Sequence, residues 1–157
     1  MTANDEHPLP SSWEFWVIRT NYEYEIERIV SFSTIEEFWK NYLQLPDITK
    51  MKTGGFALFK KGIKPAWEDP VNQFGSKARI LPQLNTEQFE YILRAMIGGT
   101  IDQKTAGTLN GLYVNATKKM TVELWFGSKV AGIDQQVLAQ MIQMNSQDLV
   151  ISPIRSK

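Results

Sequence analysis

The chain predicts an α+β fold built on an antiparallel sheet, because its strand signals fall in neighbouring pairs separated by single helices. Little of the strand–helix–strand spacing that a parallel sheet requires is present. Trp13, Phe15 and Val17 alternate with their neighbours and predict a first strand over about residues 12–19. A second strand is expected over about 25–32. Ser33-Thr34-Ile35-Glu36 reads as a capping box, opening a helix through Tyr42 with Ile35, Phe38, Trp39 and Tyr42 at helical spacing. Gly54-Gly55 leads into a short strand over 56–60, and 78–81 reads as another. Asn85 caps a helix through Ile97, which Gly98-Gly99 closes. Residues 109–114 and 121–126 form a hairpin with Lys118-Lys119 at its turn. A last helix spans about 134–144, and 149–151 is a short strand.

Length and composition bound the function. A chain of 157 residues, 43% hydrophobic, is sized for a single domain with its own core. That domain is read over 12–157, after a flexible arm over 1–11. The net charge is zero, so the basic excess of a duplex-DNA binder is missing. A small nucleotide, or single-stranded RNA held at one end, remains compatible. The absence of cysteine excludes disulfides, Cys-ligated zinc and thiol catalysis, and a lone histidine excludes a multi-histidine metal site within the chain. No metal or cofactor is expected. Residues 1–6 are polar and acidic, so neither a secretory signal nor a membrane span is read, and the expected location is cytoplasmic. Asn115-Ala116-Thr117 matches a glycosylation acceptor, which is incidental without such a signal.

The segment Gly62-Ile63-Lys64-Pro65-Ala66-Trp67-Glu68-Asp69-Pro70 is the most informative in the chain. Its prolines and Asp69 put Trp67 in a loop, where a large ring gains little unless something covers it. A flat aromatic face beside a carboxylate suits few ligands, and a positively charged base is one. An N7-methylated guanine is cationic, so stacking on indole gains a cation–π contribution that neutral guanine lacks. Its Watson–Crick edge offers N–H donors to Glu68. Trp13, Trp16 and Trp125 are read as structural. An enzyme is the weaker reading: Glu36-Glu37, Glu68-Asp69 and Glu25/Glu27 are carboxylate pairs, but neighbours in sequence rarely converge on one bond. No base or nucleophile accompanies them.

Four segments together carry a resemblance: His7-Pro8-Leu9 with Trp13 and Trp16; Ser33 to Trp39; Leu58 to Asp69, containing the GIxPxWED pattern; and Val114-Asn115 leading to Trp125. In them the chain resembles the cap-binding translation initiation factor 4E family. The resemblance implies a curved antiparallel sheet with three helices on its convex face and the 7-methylguanosine cap of mRNA in the concave one. It assigns base stacking to Trp67 with Tyr22 or Tyr24, and base reading to Glu68. It assigns phosphate binding to Lys77, Arg79, Lys118 and Lys119. A tyrosine stands where the family usually has a second tryptophan, and Thr117 where it has a basic residue. Lysine lacks the bidentate fork of arginine, so looser and more salt-sensitive phosphate contacts are expected. On the convex side it implies a surface of His7, Pro8, Leu9, Ile35, Trp39 and Gly98 for initiation factor 4G or a 4E-binding regulatory protein, the chain acting as a monomer in that complex. Glu90 and Arg94 stand where apolar contacts are usual. Activation of translation, cap-bound repression, and an interaction module without cap binding all remain open on the sequence.

Overall fold

The computed structural model describes residues 7–20, 24–44, 54–66, 68–105, 107–116 and 120–154. Seven strands form one sheet: β1 (Pro8–Thr20), β2 (Tyr24–Thr34), β3 (Gly55–Lys60), β4 (Ser76–Ile80), β5 (Leu109–Asn115), β6 (Thr121–Phe126) and β7 (Leu149–Pro153). Their order is β2-β1-β3-β5-β6-β4-β7, and every pairing is antiparallel. Among the described residues five α-helices accompany them: α1 (Ile35–Tyr42), α2 (Pro70–Gln73), α3 (Thr86–Ile97), α4 (Thr100–Lys104) and α5 (Gln135–Met141). The α+β class with an antiparallel sheet is as predicted. The three longer helices, α1, α3 and α5, pack on one face.

Strand periodicity sorts the side chains between the two faces. Trp13 and Phe15 of β1, Phe56 and Leu58 of β3, Leu112 and Val114 of β5, and Val122 and Leu124 of β6 share one core with Phe38, Phe89, Ile92 and Leu138 of the helices. The alternate residues Ile18, Ala57, Phe59 and Trp125 form a second, smaller cluster on the opposite, concave face, with Trp16 and Tyr113 at its edge. Phe38 pins α1 to the sheet. Its ring lies 5.9 Å from Phe15, 5.7 Å from Phe32 and 5.5 Å from Tyr42.

Two expectations shift. β1 begins at Pro8 rather than at residue 12: Pro8 pairs with Thr34, and the His7 carbonyl accepts the Ile35 N–H at 2.9 Å. An otherwise unpaired donor of the first helical turn draws this segment onto the sheet edge. The cap of α1 sits one residue later than expected. Thr34 accepts from the Glu37 N–H, while the Ser33 N–H donates to Glu37, because Ser33 is still in strand β2. Glu36 is thereby left for another partner. The Asn85–Gln88 capping box of α3 forms as read. Helix α5 is shorter than expected, ending before Gln143, whose φ of 58° is left-handed. The short α2 and α4 were absent from the sequence reading, although Asp69-Pro70 is an N-cap followed by proline at the first helical position.

The aromatic anchorage of α1 has a measurable consequence. Phe38→Ala should cost about 3–5 kcal/mol, the usual range for emptying a buried phenylalanine site. Urea unfolding of parent and variant measures it; a loss under about 1 kcal/mol would mean that α1 is held by something other than this ring.

Candidate ligand-binding loop and the two faces of the sheet

The segment joining β3 to β4 returns against the concave side, and its own polar side chains hold it there. Gly62 N–H donates to the Glu14 carboxylate at 3.3 Å. Glu14 is only 2% exposed and also receives Arg28 at 3.1 Å and the Ser31 hydroxyl at 3.2 Å. Ile63 packs against the concave cluster. Asp69 caps α2 through the Val71 N–H at 2.9 Å, and its second oxygen takes the Lys64 N–H at 2.9 Å. Asn72 is fully buried. Its amide nitrogen donates to the carbonyls of Lys64 at 2.8 Å and Ala66 at 2.9 Å, and its oxygen accepts from Asn110 of β5 at 2.8 Å. Asn110 also donates to the Val71 carbonyl at 3.2 Å.

The concave wall beside this loop mixes aromatics and charge. Lys77 and Arg79 lie two apart on β4, opposite Trp125 and Glu123 of β6. Trp125 stacks on Tyr113, with centroids 5.2 Å apart and planes at 10°, and meets Phe59 edge-on at 5.5 Å. Glycine at position 111 allows this: a Cβ there would sit 2.4 Å from the Phe59 ring and 2.6 Å from the Leu58 carbonyl oxygen. Glu123 accepts from the Trp125 indole at 3.1 Å and lies 3.6 Å from the Lys77 ammonium. Lys77 is thus already partnered, and Arg79 is exposed. Glu68 is exposed on the loop. Trp67, Tyr22, Lys118 and Lys119 lie outside the described residues, as does the side chain of Tyr24 at the head of β2. Among the described residues no cluster of three His, Asp or Glu side chains forms a metal site.

The other group of predicted residues gathers at the opposite face. The His7 N–H donates to Glu36 at 2.8 Å and its Nδ1 lies 2.5 Å from the second carboxylate oxygen. Leu9 and Trp39 pack against the helix-side core, while Ile35 and Leu43 are exposed. Pro10 lies over Gly99, beside Gly98 at the end of α3. Arg94 stands 6.0 Å from the Tyr91 ring. Tyr91, Arg94, Ala95 and Thr100 line a small depression of about 200 Å³ next to this surface.

Asn72, Asn110, Glu14 and Glu123 were not singled out from the sequence. Asn72 and Asn110 carry a faint signal, a buried-type amide after Asp-Pro and one in an otherwise apolar strand. Glu14 had a clearer one: it stands between Trp13 and Phe15, where only the concave side could receive it.

Two outcomes follow from these contacts. Asn72→Ala leaves one Asn110 donor unmatched and strips the Lys64 and Ala66 carbonyls to their backbone bonds from Ala66 and Asp69, and should cost about 1–3 kcal/mol. The amides of Lys64, Ala66, Asp69 and Val71 should then exchange with solvent faster, while those of β5 hold; unchanged exchange would dismiss Asn72 as the loop's anchor. At the other face, hydrogen bonds from the His7 side chain and backbone hold the Glu36 carboxyl at about 2, below its ordinary 4.5. A carboxyl depressed by folding adds stability above 4.5 that is lost as pH falls towards 2. In a carboxyl NMR titration, His7→Ala should return the Glu36 midpoint towards 4.5. A midpoint that stays put would rule out His7 as the cause.

The family model described as Eukaryotic initiation factor 4E matches residues 8–151. The translation initiation factor 4E of Candida albicans is 29% identical over 167 aligned positions, covering 94% of this chain and 78% of its own length. The 4E-1 factor of Arabidopsis thaliana is 31% identical, covering 77% of this chain and 55% of its own. Among solved structures, the C. elegans factor 4E-3 in complex with the 4E-binding protein Mextli and a cap analog superposes with a TM-score of 0.81. Its identity is 26%, and the match covers 94% of this chain and 92% of that one. The Ascaris suum factor 4E-3 with the m2,2,7G cap superposes with a TM-score of 0.83 at 23% identity, covering 97% and 93%. The match of the family model over nearly the whole sheet, together with the tethered loop at its concave side, makes this chain a member of the eukaryotic initiation factor 4E family.

Proposed function

We propose that the chain binds the 7-methylguanosine cap of mRNA and takes part in translation initiation as a binding protein rather than an enzyme. The observation that supports this most is the loop between β3 and β4. The segment carrying Trp67 and Glu68 is tied at both ends, by Glu14 to Gly62 and by Asn72 to Asn110, so an exposed carboxylate is carried on a segment tethered to the sheet. Such pre-organisation favours a flat, specific ligand, since little ordering remains to be done on binding. In this reading Trp67 and one of Tyr22 or Tyr24 sandwich the methylated base. Glu68 accepts its N–H donors through charge-assisted bonds. Lys77, Arg79, Lys118 and Lys119 meet the phosphates, Lys77 exchanging Glu123 for a phosphate oxygen.

The partner is initiation factor 4G or a 4E-binding regulatory protein, docked on His7, Pro8, Leu9, Ile35, Trp39 and Gly98, with the chain monomeric in that complex. The proposed location is the cytoplasm; among the described residues no helix is long and apolar enough to cross a membrane. Repression in place of activation is favoured by one observation, the Arg94 guanidinium over Tyr91 beside the proposed partner surface. A cation there suits a partner helix other than an apolar one.

Quenching of tryptophan fluorescence by 7-methyl-GTP, with plain GTP as control, tests the reading. Selective quenching is expected from the parent and none from Trp67→Ala. Glu68→Ala should weaken the methylated nucleotide by roughly tenfold or more, the loss of two charge-assisted bonds at about 1.5–3 kcal/mol each being partly offset by water. Equal response to both nucleotides by the parent would refute cap recognition and leave the interaction-module reading.

A further inference from the structure

On the helix side of the sheet, α1 turns an apolar ridge outwards. Ile35, Trp39 and Leu43 recur at four-residue spacing and so share one face. Ile35 is 40% exposed and Leu43 72%, while Trp39 between them is half-buried against Phe38 and Tyr42. Helix α3 lies alongside. The rings of Phe38, Phe15, Phe56 and Phe89 form a series with successive centroids 5.9, 6.1 and 5.8 Å apart, running from α1 across the paired strands β1 and β3 to α3. His7 reaches Glu36 at the start of α1, and Pro10 sits against Gly99 just past the end of α3. Only three backbone steps, about 11 Å, separate His7 from Pro10, so the first turn of α1 and the last turn of α3 meet at one end of this surface.

The charges left unmatched there are positive. Glu36 is taken by His7, and Glu37 by the Ser33 N–H and the Thr34 hydroxyl. Lys40 and Arg94 are exposed, and among the described residues neither forms an ion pair. Arg94 instead stands 6.0 Å from the Tyr91 ring, at the depression of about 200 Å³ that it lines with Tyr91, Ala95 and Thr100. Glu90, one turn earlier on α3, does not pair with it.

We propose that this surface selects an acidic amphipathic helix, whose apolar face covers Ile35, Trp39 and Leu43 and whose carboxylate enters the depression to pair with Arg94. The inference deepens the partner assignment made above and rests on it. A guanidinium beside an aromatic ring keeps its N–H fork free, and a carboxylate fits that fork with two parallel bonds. A partner with lysine or arginine at the same place is rejected, because like charges meet there. Glu90 adds a second restriction. It repels an acid placed over the middle of α3, so the partner's carboxylate is confined to the Thr100 end and the register of the bound helix is fixed.

Selection from a displayed library of amphipathic helical peptides of about 18 residues, roughly five turns, tests it. The baits are the parent, Arg94→Glu, and a double variant Ile35→Ala/Leu43→Ala, all altered only at exposed side chains. Peptides enriched on the parent should carry Asp or Glu at one fixed position, and Arg94→Glu should turn that position to Lys or Arg. Replacing the acid of an enriched peptide by lysine should weaken its binding to the parent about tenfold, and Arg94→Glu should recover it. Loss of those peptides from the double variant ties them to the α1 ridge. Peptides that need the ridge but show no preference for an acid overturn the pairing with Arg94 while the partner surface stands. Peptides indifferent to the ridge, or no enrichment on the parent, overturn the partner surface and the inference with it.

Discussion

A buried amide governs this structure's concave side. Asn72 has no exposure, so each of its polar atoms must find a partner or cost the fold the desolvation of an unmatched group. It meets that demand by spending both N–H donors on carbonyls of its own loop and its oxygen on Asn110 of β5. The requirement is geometric as well as energetic. The loop carbonyls of Lys64 and Ala66 must face inwards at 2.8 and 2.9 Å, which fixes the backbone immediately before Trp67. Asp69 adds a second brace from Lys64 to Val71. A connecting segment that would ordinarily be among the most mobile in the chain is tied to the sheet by side chains of its own sequence.

Such tethering is affordable because stability is supplied elsewhere. The helix-side core gathers Phe15, Phe32, Phe38, Phe56 and Phe89 in ring-to-ring contact, with Leu58, Leu112 and Leu124 beneath the helices. Each such side chain contributes about 1.5–3 kcal/mol by burial. The concave face is thereby free to carry groups that stabilise little, such as a buried Glu14, a Lys77–Glu123 pair and an indole stacked on a phenol. Strand β1 serves both faces. Trp13 and Phe15 enter the core, while Glu14 and Trp16 between and beyond them point the other way, as the two-residue period demands.

Much of this was legible in the sequence because it is local. The alternation in β1, the Asn85 cap of α3 and the run Thr121–Phe126 are each decided by neighbours a few positions away. The loop itself was legible through its prolines and Asp69. What escaped depends on long-range pairing. Asn72 means little until β5 brings Asn110 beside it, and Glu123 reads as a solvated strand residue until the register sets it across from Arg79 and near Lys77. The start of β1 and the cap of α1 were misjudged for the same reason. Glu36 was assigned to its own helix, but His7, distant in sequence, claims it, and Glu37 takes over the helix end. Phe74 looked unremarkable as the residue before a Gly-Ser turn; only Pro153 and Val130, drawn in by β7 and the segment after β6, turn its surroundings into a groove.

The charge distribution follows a logic that the zero net charge alone conceals. Three cations of the sheet are already paired: Arg28 with Glu14, Lys60 with Asp102 at 2.6 Å, Lys77 with Glu123. An anion arriving at Lys77 therefore replaces a carboxylate instead of neutralising a bare charge, and the net electrostatic gain is the difference between two ion pairs. The described residues near the sheet thus show no broad positive field of the kind by which many proteins bind nucleic acid through counterion release. Glu123 also sets a direction. By holding Lys77 towards β6 it keeps the ammonium on the concave side, beside the wall of Trp125.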